Sequence, residues 1–358
     1  MSQPRPKRIS QAQIAKEIGC SQALVSMALN GRTKGISEKT YHLIREMAAQ
    51  QGYTPKGMKI EASEGELRQR TIGYILRSPL KLANKSNFFS HVHQGLHEHL
   101  KEHRLKTVYL GSEDDLIESE SAFSSHFSDS VRGIAIMGEV APAFLAKVRD
   151  TGRPLVYLSA RASGQCHSVL SNELESAELL VNHLYDLGHR SFAWLGGGKP
   201  RGRHDERLAS LEAALATKQL KLDARLKATL DGADRKEGYE AAKQILASGQ
   251  PLPTAWICLN GLMARGAINC LLQKQIEIGK KVSVAAFDMT RICEEEHPTL
   301  TSAGADPEAM GREAGRILTQ ALEDNTPGLT DITLPAKLTT RESTAPAPRA
   351  SRKKTTAK

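Results

Sequence analysis

The 358-residue sequence predicts a small all-α head joined to a larger α/β body with parallel sheets. Three observations carry this expectation. The first sixty residues read as three short amphipathic helices. From Thr71 onward, short apolar runs alternate with helical stretches. Positive charge collects at the two ends and not in the middle.

Residues 1–60 hold ten Lys and Arg against Glu17, Glu38 and Glu46, a balance of +7, whereas 71–340 come to −2 out of a total of +9. A basic module attached to a near-neutral body is the pattern of a polyanion binder. The stretch TAPAPRASRKKTTAK is also basic. Its Pro, Ala, Ser and Lys build no core, so residues 342–358 are expected to be a disordered, solubilising tail. Hydrophobic residues make up 40% of the chain and aromatics 4%. No apolar run approaches the ~18 residues of a membrane span, and the basic opening MSQPRPKRIS lacks the apolar stretch of a secretory leader. A soluble, cytoplasmic protein is expected. Five cysteines (Cys20, Cys166, Cys258, Cys270, Cys293), odd in number and without a C-x-x-C pair, argue against disulfides and a zinc site.

In the head, Ser10-Gln11-Ala12-Gln13 has capping-box spacing and opens a helix from about Gln11 to Ile18. Gly19 is suited to the left-handed conformation that ends it. Ser21 caps a second helix, Gln22 to about Asn30, whose Leu24, Val25, Ala28 and Leu29 form one apolar stripe. Small Ala15 permits close crossing. Gly31 stops the second helix, Ser37 caps a third, and Tyr41, Ile44, Met47 and Ala48 cover the first two before Gly52. Three such helices with a tight Gly-containing turn make a helix-turn-helix, whose second helix is offered to the DNA major groove.

The run Ile14-Ala15, Gly19, Ser21, Val25-Ser26, Asn30, Ser37 and Gly52-Tyr53-Thr54-Pro55 closely resembles the LacI/GalR (lactose-repressor) family of bacterial transcription regulators. The resemblance implies that Gln22 and Ala23 face base edges and that Ser21, Ser26 and Asn30 lie near phosphates or bases. Arg5, Lys7 and Arg8 would form a basic arm. Met27 stands where relatives commonly carry an Arg that reads guanine, worth about 1–3 kcal/mol of discrimination. Methionine offers only apolar contact, for example to a thymine methyl, so a different operator is implied. A second departure is KGMKIEASEGELRQR, where relatives have a hinge helix with a minor-groove leucine. Its Glu61, Glu64 and Glu66 are repelled by phosphate. Met58, Ile60 or Leu67 could substitute for that leucine; equally, this stretch could be only a linker.

The body alternates TIGYIL, TVYLG, GIAIMG, PLVYLS, SFAWLGG, TAWICL and VSVAAF with helical segments such as SAELLVNHLYDLGH and GREAGRILTQALED. Strands separated by helices imply parallel sheets with right-handed crossovers, and more than 250 residues suit two lobes. The resemblance continues as a two-lobed, periplasmic-binding-protein-like body to about Arg341. It implies an effector cleft held by the aromatic pair Phe88 and Phe89, by Arg207 as a forked donor, and by Asn260 and Asp288. Asn172, Gly261 and Ser210 replace residues usual in the family. The loss of two acidic acceptors around a retained arginine tilts the expected effector from a neutral sugar toward an anionic one. An ion pair within the protein is the competing role for Arg207 and Asp288.

No catalytic set stands out, and neither a cofactor nor a metal is expected. GGGKP at 196–200 lacks the spacing of a phosphate loop. His93 with His97 and His99 with His103 sit at helical spacing without H-E-x-x-H, which fits a half-buried helix face better than a metal site. The expected organisation is a head at 1–56, an atypical hinge or linker at 57–70, and a dimerisation and effector body at 71–341. The expected function is a sequence-specific regulator, a repressor, acting at the nucleoid. It would bind palindromic double-stranded operator DNA as a homodimer under control of a sugar or sugar derivative. Two alternatives are an effector-independent regulator, and a sugar-binding protein or enzyme with an incidental head.

Overall fold

A computed structural model of the chain describes residues 10–29, 35–50, 71–77, 88–118, 123, 126–127, 130–198, 202–323 and 328–348. The chain separates into two compact units, Met1–Glu64 and Gly65–Lys358. Arg5, Lys7, Arg8, Asn30, Gly31, the Gly52–Pro55 motif, the 57–70 stretch and residues 349–358 lie outside the described residues.

The head contains α1 (Gln11–Ile18), α2 (Gln22–Leu29) and α3 (Glu38–Gln50). Ser10 Oγ accepts from the Gln13 N–H at 3.3 Å and Gln13 Oε1 accepts from the Ser10 N–H at 3.0 Å, a reciprocal cap. Gly19 follows at φ 74°, the left-handed turn that lets α2 fold back. Ser21 Oγ accepts from Leu24 N–H and Ser37 Oγ from Thr40 N–H, both at 3.2 Å. Ile14, Ala15, Val25, Ala28, Ile44 and Ala48 form the core, with Leu24, Leu29, Tyr41 and Met47 packed around it.

The body runs β1 (Thr71–Leu76), α4 (Phe88–Glu102), β2 (Lys106–Ser112), α5 (Glu113–Ile117), β3 (Val131–Met137), α6 (Pro142–Arg149), β4 (Leu155–Leu158) and β5 (His167–Ser171). It continues with α7 (Glu173–Asp186), β6 (Phe192–Gly197), α8 (Gly202–Thr217), β7 (Lys227–Leu230), α9 (Arg235–Leu246), β8 (Ala255–Cys258), α10 (Gly261–Gln273) and β9 (Ser283–Phe287). The last elements are α11 (Ile292–Glu295), β10 (Thr301–Gly304), α12 (Pro307–Glu323), β11 (Asp331–Leu334) and β12 (Lys337–Thr339). The first sheet has the order β11-β5-β4-β3-β1-β2 and is parallel throughout. The second, β12-β10-β9-β8-β6-β7, is parallel except for the antiparallel β10–β12 pair.

Central strands such as β4, β6, β8 and β9 are buried along their whole length, because helices cover both faces of a parallel sheet. That is why they read as continuous apolar runs. The chain crosses between lobes three times. It crosses near Asn172, again between β10 and α12, and a third time between β11 and β12. Thus α12 follows a strand of the second sheet yet places Met310, Ala314, Ile317 and Leu318 in the core of the first.

Each lobe also has one helix pair drawn together by two glycines. A Cβ on Gly95 would overlap the Glu308 carbonyl and one on Gly311 the Val92 carbonyl, so α4 and α12 cross backbone to backbone. Gly238 and Gly266 do the same for α9 and α10 against the Met263 and Arg235 carbonyls.

The expected free tail needs correcting at its start. Residues 342–348 are strapped onto the second lobe. Ser343 is fully buried, its Oγ donates to the Val284 carbonyl at 2.6 Å, and its carbonyl accepts from Val284 N–H at 2.9 Å. The Ala347 N–H donates to the Leu187 carbonyl at 2.8 Å. Backbone groups made these attachments, and composition does not reveal backbone pairing.

Candidate functional site

At about 100° per residue, Leu24, Val25, Ala28 and Leu29 occupy one half of the circumference of α2, and Gln22, Ala23, Ser26 and Met27 the other. The first group packs into the head core. Gln22 and Ala23 are exposed at the N-terminal turn, Ser21 is exposed as its cap, and Ser26 and Met27 are half-buried. The polar half of α2 is therefore presented outward from the three-helix core.

In the body, parallel strands of both sheets end at one cavity of about 670 Å³. This volume falls within the roughly 300–1,000 Å³ of small-ligand sites. Ligands bind where parallel strands end because the loops there converge, free of the ladder. Arg77 follows β1, Gly138 and Glu139 follow β3, Ser159 follows β4, and Ser171 ends β5. The second lobe contributes Gly197 of β6, Leu259 and Asn260 after β8, and Asp288 after β9.

Of the six body residues singled out in the sequence, five line this cavity: Phe88, Phe89, Arg207, Asn260 and Asp288. Asn172 is not among the lining residues. Its side chain accepts from the Glu175 N–H at 3.1 Å and caps α7 at the lobe crossing, a structural duty that a short amide serves well.

Arg207 lies in the cavity wall, but its donors are spent inside the protein. Nε and Nη2 form a two-pronged pair with Glu173 at 2.8 and 2.9 Å, and Nη1 donates to the Leu259 and Phe287 carbonyls at 2.6 and 3.2 Å. Asn260 accepts from Met263 N–H and donates to the Ala233 carbonyl, which ties the start of α10 to the loop before α9. The Asp288 carboxylate accepts from the Gly261 and Thr290 N–H groups at 2.7 and 2.6 Å. A side chain at 261 would meet Asp288 and Ile292, which gives a packing reason for the glycine there. The GGGKP glycines serve close approach as well. A Cβ on Gly197 would overlap the Gly232 carbonyl, while Lys199 and Pro200 lie outside the described residues.

The sequence reading missed Arg77, Glu139, Arg203 and His204, all in the cavity wall. His204 is buried. Its Nε2 accepts from Trp194 Nε1–H at 3.3 Å and its Nδ1 meets Asp205 at 2.9 Å. Arg203 lies over the Phe88 ring at 4.9 Å and the Phe89 ring at 5.9 Å. Burial, and then the neighbouring Arg207 charge, lower its guanidinium to about 10. Burial likewise lowers Arg77, opposed by Glu139. Glu139 reaches across the cleft to accept from the Gly202 N–H at 3.1 Å. Arginines in LRSPL and PRGRH carry no periodic or motif signal that would have marked them.

His93 and His97 stack at 6.0 Å and His99 and His103 at 4.3 Å along α4. Among the described residues no group of three or more His, Cys, Asp or Glu could hold a metal, and no helix is long and apolar enough to cross a membrane.

Two lobes of parallel sheet around a cavity, with a separate helix-turn-helix head, define a ligand-sensing protein of the periplasmic-binding-protein type. Residues 181–344 match the model of the periplasmic binding protein-like domain. The chain is 23% identical to catabolite control protein A of Staphylococcus epidermidis over 333 residues, 92% of this chain and 98% of the relative. The same protein of Staphylococcus aureus is also 23% identical over 334 residues, with the same shares covered. Among solved structures, the lac repressor dimer bound to operator and the anti-inducer ONPF aligns with a TM-score of 0.70 at 21% identity, covering 95% of this chain and all of that one. The complex of the transcriptional regulator CelR with cellobiose aligns at 0.69 and 22%, covering 94% and 100%. The chain belongs to the LacI/GalR family of transcription regulators and is not an enzyme.

Proposed function

We propose that this chain is a sequence-specific repressor. It binds palindromic operator DNA as a homodimer at the nucleoid, and a small polar effector, a sugar or sugar derivative, modulates that binding from the inter-lobe cavity. The observation that carries the reading is the outward half of α2. Gln22 and Ala23 stand exposed at its capped start while the opposite half is used up in the core. Gln22, Ala23 and Met27 read base edges, and Ser21, Ser26 and Asn30, with the basic Arg5, Lys7 and Arg8, hold phosphates and neighbouring bases. A two-fold pair of heads matches two half-sites. The effector works by binding one angle of the lobes better than another, since a ligand shifts an equilibrium only through differential affinity.

The experiment is sequencing of DNA fragments selected by the purified protein, followed by titration of the best fragment against salt. A palindromic motif is expected. The slope of log affinity on log salt should be about −0.9 for each phosphate neutralised, and a salt-independent specific complex would refute the reading. A second reading, an effector-independent regulator, is favoured by the internal partners of Arg207, Asn260 and Asp288. It predicts operator affinity indifferent to any small molecule and to Asp288→Ala.

A further inference from the structure

We propose that the cavity binds a polyhydroxylated molecule with an anionic end, the anion seated between Arg77 of one lobe and Arg203 of the other. This rests on the reading of the cavity as an effector site and deepens it to a ligand class.

The cavity holds several charges, and all but two are matched within the protein. Glu173 is paired with Arg207, Asp288 accepts two backbone N–H groups, and Asp234 and Glu237 cap the start of α9. Glu139 accepts from Gly202. Among the described residues, Arg77 and Arg203 have no side-chain acceptor, although both line the cavity and both are partly desolvated. Glu206, one turn along α8 from Arg203, does not line the cavity and forms no ion pair with it.

The same aromatic pair places both arginines. The Phe89 ring tip and the Arg77 stem both crowd the point where a Gly138 Cβ would stand, and Arg203 lies over Phe88 and Phe89 from the other lobe. A guanidinium stacked on a ring keeps its N–H edges free in the plane, the geometry that suits phosphate or carboxylate oxygens. Two desolvated like charges facing one cavity cost free energy that an anion between them offsets.

The hydroxyl-binding part is read from the row of strand ends. Ser159 and Ser171 Oγ are buried without a hydrogen-bond partner, and both line the cavity. In the order β5-β4-β3-β1 they stand three and two strands from Arg77. At the usual strand spacing that is about 14 Å and about 10 Å, the reach of a one- or two-ring sugar from its anionic end.

The test is isothermal titration of the full-length protein at constant ionic strength with glucose 6-phosphate, glucuronate, glucose and inorganic phosphate. Glucose 6-phosphate or glucuronate is expected to bind and glucose to bind at least tenfold more weakly. The two anionic arms separate a phosphate monoester from a carboxylate. Arg77→Gln and Arg203→Gln should each weaken the anionic probe at least tenfold, Arg203→Lys less. Ser159→Ala should weaken the sugar anion without changing inorganic phosphate. Unchanged melting of the variants excludes misfolding. Glucose bound as tightly as its phosphate, no binding by any of the four probes, or Gln variants that bind normally would each overturn the assignment. Operator binding by the same preparation is scored separately, so loss of the anion seat leaves the regulator reading standing, and the converse.

Discussion

Removing the Glu173 charge should destabilise the second lobe severely. The two side chains of the Arg207–Glu173 pair are only 7% and 5% exposed, so neither charge has water to fall back on. Glu173→Gln keeps the shape but replaces one carboxylate oxygen by an amide that points donors at a donor. It leaves a buried guanidinium without a counter-charge while Nη1 still holds the Leu259 and Phe287 carbonyls. Breaking a buried pair from one side costs about 3–5 kcal/mol. Arg207→Met should cost at least as much, because it strands the carboxylate and frees two buried carbonyls, each worth about 1–3 kcal/mol when unsatisfied. The chain's two tryptophans, Trp194 and Trp256, are both fully buried in this lobe, so their fluorescence during urea unfolding reports on it directly. A Glu173→Gln midpoint that corresponds to a loss below about 1 kcal/mol, or a milder effect for Arg207→Met, would refute the description of this pair as the lobe's charged keystone.

Gly311→Ala should lower the melting temperature, where alanine in a helix interior ordinarily gains about 1 kcal/mol, because the added methyl meets the Val92 carbonyl; a raised melting temperature would show that α4 and α12 separate freely. Met27→Arg should move the selected DNA motif toward guanine at one symmetric position of each half-site, and an unchanged motif would mean that the side chain points away from the groove. His189 is buried, and its Nε2–H donates to the Ala345 carbonyl at 3.0 Å while Nδ1 meets Thr254 Oγ1 at 2.9 Å. Burial lowers its pKa from the ordinary 6.5, so the folded state binds fewer protons than the unfolded one. Its contribution to stability is complete above pH 6.5 and lost as pH falls from there toward the folded value. Melting curves from pH 8 to 5 should therefore fall more steeply for the native protein than for His189→Gln, and parallel profiles would contradict this.

The head was legible almost residue by residue because its signals are local. A Ser three residues before a Gln, a glycine at a helix end and apolar spacing of three and four act within one turn of helix. Ser10, Gly19, Ser21 and Ser37 do in the structure what their spacing implies. The body's buried central strands were legible for a related reason. A strand covered on both faces must be apolar throughout, as FAWLGG and SVAAF are. HSVLS, KATL, DITL and KLT, short or at sheet edges, carry no such run, and only pairing with their neighbours makes them strands.

The cavity was half legible. Phe88, Phe89, Arg207, Asn260 and Asp288 were traced to its wall by resemblance, yet what they do there depends on partners distant in sequence. Arg207 meets a glutamate 34 positions away and carbonyls 52 and 80 positions away. Asn172, which resembles a ligand residue by position, is a helix cap because the chain leaves one lobe there and starts a helix in the other. Arg77 and Arg203 are ordinary arginines until three lobe crossings bring the ends of two sheets face to face. By itself, then, the sequence determined what acts within a turn or a strand: the caps, the stripes, the buried runs and the basic head. Which charges are matched and which are left open to a ligand was decided only by the tertiary structure, because pairing a buried charge depends on which distant backbone and side-chain groups the fold carries within hydrogen-bond reach.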